Sequence, residues 1–172
     1  MPKRRDIRRL AMQVLYQLDL SAVHNPPTAE TLAQSLDDEH DSDATRTLAA
    51  EVALAAWAIH RDADAKVAVL APDWPTHRQP PVDRAILRLA YYEIVSGHAP
   101  PKVAINEAVE LAKTYCAEQT PAFINGVLDK LAKQHADPAG EPASVEPASA
   151  GGPPPPQRPP NADDWLDDAV NG

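Results

Sequence analysis

The chain has 172 residues, with 16 basic and 25 acidic side chains, a formal charge of −9 and one cysteine, Cys116. That length allows one ordinary domain, or a smaller domain with a tail. A single thiol excludes an internal disulfide framework, and no stretch approaches the roughly eighteen unbroken apolar residues of a membrane span, so a soluble cytoplasmic protein is the expectation.

The chain opens MPKRRDIRRLAMQVLYQLDL, in which Ile7, Leu10, Ala11, Val14, Leu15 and Leu18 recur at the spacing of one helix face. After the break at Asn25-Pro26-Pro27, Leu32 and Leu36 suggest a short second helix with Thr28 as its cap. Leu48, Val52, Ala55, Ala56 and Ile59 mark the inward face of a third, and the alanine-rich run to Leu70 continues it or begins another. Pro72, Pro75, Pro80 and Pro81 enclose a loop. Residues 82 to 96 form the next helix, with Val82, Ile86, Leu89 and Ala90 inward, stopping near Gly97. Pro101 starts a helix through Ile105, Ala108, Val109 and Ala112. Thr120-Pro121 supplies a cap and a first-turn proline for the last, whose inward face is Ile124, Val127, Leu128 and Leu131. No alternating run of β-branched residues appears, so the domain is expected to be all-α, with six or seven helices.

Two regions differ in composition. Residues 1 to 135 carry a net charge of −3, and residues 136 to 172 carry −6 together with nine of the nineteen prolines. Before Trp165 and Leu166 that tail has almost no large apolar side chain to offset the entropy of ordering, so it is expected to be disordered. Its end, DDWLDDAVNG, is either a solubilising segment or one that lies over a basic surface of the domain and competes with whatever that surface binds.

Several chemistries are missing. The first 135 residues contain two glycines, Gly97 and Gly126, too few for a phosphate-cradling loop or a dinucleotide fold. The six histidines lie at least sixteen residues apart, so there is no local metal motif. No cofactor is expected. Cys116 reads as a small apolar residue near a helix end, and Glu107 with Glu110 as solvated helix charges.

The unusual feature is the basic start, with Lys3, Arg4, Arg5, Arg8 and Arg9 within seven positions of an acidic protein. Arg5, Arg8, Arg9 and Met12 flank the apolar stripe, and Gln13 and Tyr16 continue its polar side. Guanidinium groups for phosphates, followed by an amide and a ring for bases, suit single-stranded nucleic acid. A merely solvated basic terminus is the alternative, although cations in a first helical turn oppose the helix dipole.

Three segments, RRLAMQVLYQLDL, DRAILRLAYYEI and KVAINEAVELAKTYCAEQTPAFINGVLDKLAK, are similar in order and spacing to the NusB family of bacterial transcription antitermination factors. The third is the most specific. The resemblance implies a bundle of two packed helical subdomains over residues 1–135, without a catalytic site. It implies binding of the boxA element of ribosomal RNA leader transcripts together with NusE, a small-subunit ribosomal protein, and action in an RNA polymerase antitermination complex. It leaves monomer and homodimer both open. A non-catalytic adaptor whose basic helix meets an acidic protein is the competing reading.

Carried over residue by residue, the family's arginine-rich first helix matches Arg4, Arg5, Arg8 and Arg9, with Lys3 before them and Gln13 and Tyr16 after. The segment Glu118 to Phe123, with Gln119, matches a loop and helix start that contact RNA, where Phe123 stacks on a base or packs in the core. Asp83 and Arg84 match the helix on which NusE docks, while Arg84 and Arg88 also read as ordinary surface charges. Gly126 is expected where helices pack closely, and Asn106 and Asn125 are expected to fix helix ends or crossings by hydrogen bonds. The chain departs from the family in having Gln119 where an acidic residue is common, and in a short SGHAPPK connection.

Overall fold

The computed structural model describes residues 1–22, 24–36 and 40–136; the tail from residue 137, with Trp165 and Leu166, lies outside the described residues. Seven α-helices are present among them: α1 (Arg4–Leu20), α2 (Ala29–Ser35), α3 (Asp43–Ala58), α4 (His60–Leu70), α5 (Pro81–Val95), α6 (Pro101–Tyr115) and α7 (Thr120–Ala136). A 3-10 turn at Thr76–Arg78 sits in the proline-bounded loop before α5. No described residue is in a strand, and no described helix is long and apolar enough to cross a membrane.

Local chemistry sets the boundaries. Thr28 Oγ1 accepts from the Thr31 N–H at 3.3 Å and Ser42 Oγ from the Thr45 N–H at 3.2 Å, each satisfying one of the unpaired donors of a first turn. The long third run breaks at Ile59 rather than continuing, so α3 and α4 are separate helices. Gly97, at φ +69°, takes the left-handed conformation that closes α5. Pro81 and Pro101 open α5 and α6 in the first turn, where a missing N–H costs nothing.

The halves α1–α3 and α4–α7 meet along α5. Helix α1 packs against α3 and α5, while α6 and α7 pack against each other and against α5. One apolar core runs through both halves, with Leu10, Leu15, Ile86, Leu89, Ile94, Ile124 and Leu128 almost fully buried.

Helix α3 departs from the expected face. Ala49, Ala50, Ala53 and Ala56 point inward, whereas Leu48 is 40% exposed. Small side chains let α1 approach α3 closely, so here the alanines are the contact surface and the larger residue is left at the rim. Gly126 also departs from expectation. It is exposed on α7, and a Cβ built there meets nothing within 4 Å, so close helix packing is not its reason.

Candidate nucleic-acid interface

Around α1, Arg5, Arg9, Gln13 and Tyr16 recur at i, i+4, i+8 and i+11, which places them on one strip beside the apolar face. Lys3 and Arg4 are exposed at its start, and Gln13 and Tyr16 are half-buried at its edge. Arg5 Nε donates to Glu107 Oε1 on α6 at 3.3 Å, yet its side chain stays 75% exposed. Arg9 Nη2 donates to Asp41 Oδ2, on the connection before α3, at 2.5 Å.

Arg8 stands apart from this strip. Its side chain is 8% exposed, and Nε donates to Glu93 Oε1 of α5 at 2.7 Å. The expectation that Arg8 contacts RNA is therefore corrected: its guanidinium is enclosed between helices, where it neutralises a carboxylate that is 3% exposed. Burial pushes the Glu93 carboxyl above its ordinary value, and the charge and hydrogen bond of Arg8 only partly oppose that. Met12, expected beside the strip, is also core.

Asp83 and Arg84 are adjacent on α5 and reach in opposite directions. Arg84 Nη2 and Nε donate to Asp19 Oδ2 at the end of α1, at 2.5 and 3.0 Å, and Nη1 donates to the carbonyls of Gln79 at 2.8 Å and Thr76 at 3.2 Å. Asp83 is buried and faces the Cys116 thiol and the Thr120 hydroxyl at the α6–α7 turn. In the free protein both side chains are engaged within the molecule, Asp83 buried and Arg84 with 17% of its side chain exposed. The first turn of α5 ties the end of α1 to the start of α7.

Arg88 extends the same network. It is buried, not a surface charge: Nη1 donates to Asp19 Oδ1 at 2.9 Å, Nη2 and Nε donate to Asp64 at 2.7 and 2.8 Å, and its guanidinium lies 5.5 Å from the centre of the Trp57 ring. Burial pushes the Asp19 carboxyl up, but the hydrogen bonds and charges of Arg84 and Arg88 outweigh it and hold the group below its ordinary value. For Asp83, burial outweighs the bonds from Cys116 and Thr120 and the charge of Arg84, so its carboxyl is raised. Burial and the neighbouring Asp83 carboxylate push the Cys116 thiol up, the reverse of an activated nucleophile.

At the α6–α7 turn Glu118 and Gln119 are exposed. Phe123 is half-buried, with its ring edge-on to Trp74 at 4.3 Å and 84°, so the core holds one side of it. Asn106 and Asn125 are exposed and make no side-chain hydrogen bond among the described residues, contrary to the expected structural role. Glu107 and Glu110 are spent on Arg5 and Lys113. Among the described residues no group of His, Cys, Asp and Glu forms a metal-binding cluster.

Two of these pairings were missed by pattern reading, although their signals lie in the sequence. Glu93 falls at i+3 from Ala90 and i+7 from Ile86, on the inward face, as Arg8 falls beside Leu15. Opposite charges on two inward faces are a legible ion pair. Asp41 lies in DDEHDSD, an acidic run with a cation to find.

Residues 5–133 match the model of the NusB family. The protein named transcription antitermination protein NusB from Herpetosiphon aurantiacus is 38% identical over 132 residues, covering 74% of this chain and 88% of that relative. Its namesake from Symbiobacterium thermophilum is 36% identical over 149 residues, covering 83% and 97%. Among solved structures, T. maritima NusB superimposes with a TM-score of 0.67 at 29% identity, covering 79% of this chain and 95% of that one. A structure of antitermination factors NusB and NusE in complex with dsRNA gives 0.64 at 25% identity, covering 76% and 96%. The matched family, the relatives and the seven-helix architecture agree: the chain belongs to the NusB family.

Proposed function

We propose that the protein is a transcription antitermination factor that binds boxA RNA of ribosomal RNA leader transcripts together with NusE and promotes read-through by RNA polymerase. It acts in the cytoplasm and without catalysis, as a surface on which RNA and protein meet. The observation that carries this reading is the exposed cationic start of α1, Lys3, Arg4 and Arg5, running into the half-buried Gln13 and Tyr16 on a helix anchored by its other faces. Phosphates take the guanidinium groups, which gives affinity, and the amide and ring meet bases. Glu118, Gln119 and the open side of Phe123 supply the second contact region. It is tied to the first through the α5 turn, by Asp83 to Thr120 and by Arg84 to Asp19. Membership of the NusB family, and the NusE and dsRNA partners named for a structural neighbour, support the same partners here.

The test is binding of labelled boxA RNA and a scrambled control, with and without NusE, at two salt concentrations. The expected outcome is a boxA preference strengthened by NusE and weakened by salt. Arg4→Ala and Arg5→Ala each reduce the salt slope by about 0.7 with an unchanged melting temperature. Equal weak binding of both RNAs with NusE present defeats the proposal and leaves a helical adaptor.

A further inference from the structure

The cation in the middle of the α1 strip is already engaged in the free protein. Arg9 Nη2 donates to Asp41 Oδ2 at 2.5 Å, with the two side chains 27% and 8% exposed. Asp41 comes from the connection before α3, 32 residues further along the chain. The start of α3 has its own chemistry without it: Ser42 caps the helix, and the Asp43 carboxylate is taken by Arg46. Asp41 therefore serves α1 rather than the helix it precedes.

A carboxylate on a guanidinium presents what a phosphodiester presents, anionic oxygens placed against planar N–H donors. The two ligands claim the same donors. Arg5 has a carboxylate partner too, Glu107, but at 3.3 Å and with 75% of its side chain exposed it remains open to a second anion. Arg9 does not, because both side chains of its pair with Asp41 are largely withdrawn from water, where screening is weak.

The geometry points to Asp41 as an intramolecular competitor, a carboxylate that occupies Arg9 in the free protein and is displaced by an RNA phosphate. This inference rests on the RNA-binding reading above and adds how the same strip is restrained. Lys3, Arg4 and Arg5 make the first, weak electrostatic contact. Arg9 is released only to an RNA held well enough by its neighbours to replace the carboxylate. Polyanions that meet the strip in passing gain nothing from Arg9, so Asp41 trades affinity for discrimination.

The experiment is a fluorescence-anisotropy titration of labelled single-stranded boxA RNA against the full chain at several salt concentrations, for the wild type, Asp41→Asn, Arg9→Gln and the double variant. Asp41→Asn is expected to bind about three- to tenfold more tightly at low salt, with a salt slope close to that of the wild type, since Arg9 meets the same phosphate in both complexes. The gain vanishes in the Arg9→Gln background, where the double variant matches Arg9→Gln alone. Unchanged or weaker binding by Asp41→Asn overturns the inference, and weaker binding makes Asp41 a residue that positions Arg9 for RNA. An equal gain with and without Arg9 also overturns it, since that marks only the removal of one negative charge. Asp41→Ser repeats the comparison should the amide disturb the connection, and melting curves confirm the fold of each variant. Absence of RNA binding by the wild type and every variant defeats the RNA-binding reading itself, a result distinct from the others.

Discussion

Arg8 on α1 and Glu93 on α5 form an ion pair at 2.7 Å whose side chains are 8% and 3% exposed. Removing one partner leaves the other charge buried and unmatched. Arg8→Ala is therefore expected to destabilise the fold by about 3–5 kcal/mol, and replacing both partners by apolar residues of similar volume to recover most of that. Urea denaturation of the single and double variants measures both. Arg8→Ala is consequently no clean probe of RNA contact, and a wild-type melting temperature for it contradicts the buried pair.

The pH dependence of stability has two signs. Asp83 and Glu93 are raised by burial above the ordinary values of 3.8 and 4.5. The folded state holds their protons more tightly than the unfolded chain, so the stability they supply is complete below those values and drains as pH rises through the raised ones. Asp19 is lowered from 3.8 by Arg84 and Arg88, so its contribution is present above that value and is lost as pH falls through the lowered one. Asp83→Asn removes one falling contribution and is expected to gain on the wild type as pH rises from the ordinary carboxylate value through the raised one. Denaturation free energies at both ends check this. A difference that does not change with pH goes against it.

Gly126 sits mid-helix with open space where a Cβ would stand. Gly126→Ala is expected to raise stability by about 0.5–1 kcal/mol, because alanine loses less backbone entropy in a helix. Thermal melting reads the gain. Should NusE or RNA binding fall in the same variant, the open space is filled by a partner.

Phe123 divides its ring between Trp74 and solvent. Phe123→Ala is expected to cost about 1–3 kcal/mol through lost packing and to red-shift tryptophan emission as Trp74 gains water. Phe123→Leu keeps much of the packing but offers no ring to a base. Reduced RNA affinity for Phe123→Leu at near-normal stability assigns the open face to stacking, and unchanged affinity assigns Phe123 to the core alone.

The helical architecture is legible from periodicity wherever large apolar residues mark the inward face, as with Ile124, Val127, Leu128 and Leu131 of α7. It misleads in α3, because a wheel ranks Leu48 above Ala49, whereas close approach of α1 favours the smaller residue. The exposed part of the basic strip follows from the order of the sequence. That Arg8 and Glu93 both face inward is legible too, but which carboxylate each cation meets is not fixed locally, because Arg8, Arg9 and Arg84 find partners 85, 32 and 65 residues away, a matter of how helices cross. The same limit applies to Asp83, whose charge reads as a surface feature until α6 and α7 close over it.

Helix α1 is fastened to α5 near both ends, by Arg8 to Glu93 and by Asp19 to Arg84 and Arg88. The continuous helix carries Arg5, just before the first anchor, and Tyr16, between the two, about 16 Å apart along the axis, eleven residues at the helical rise. The strip thus works as a gauge rather than a glove. An RNA whose phosphates and bases fall at that separation meets ready-made contacts with little ordering left to do, and one of another shape has no way to make the protein fit it.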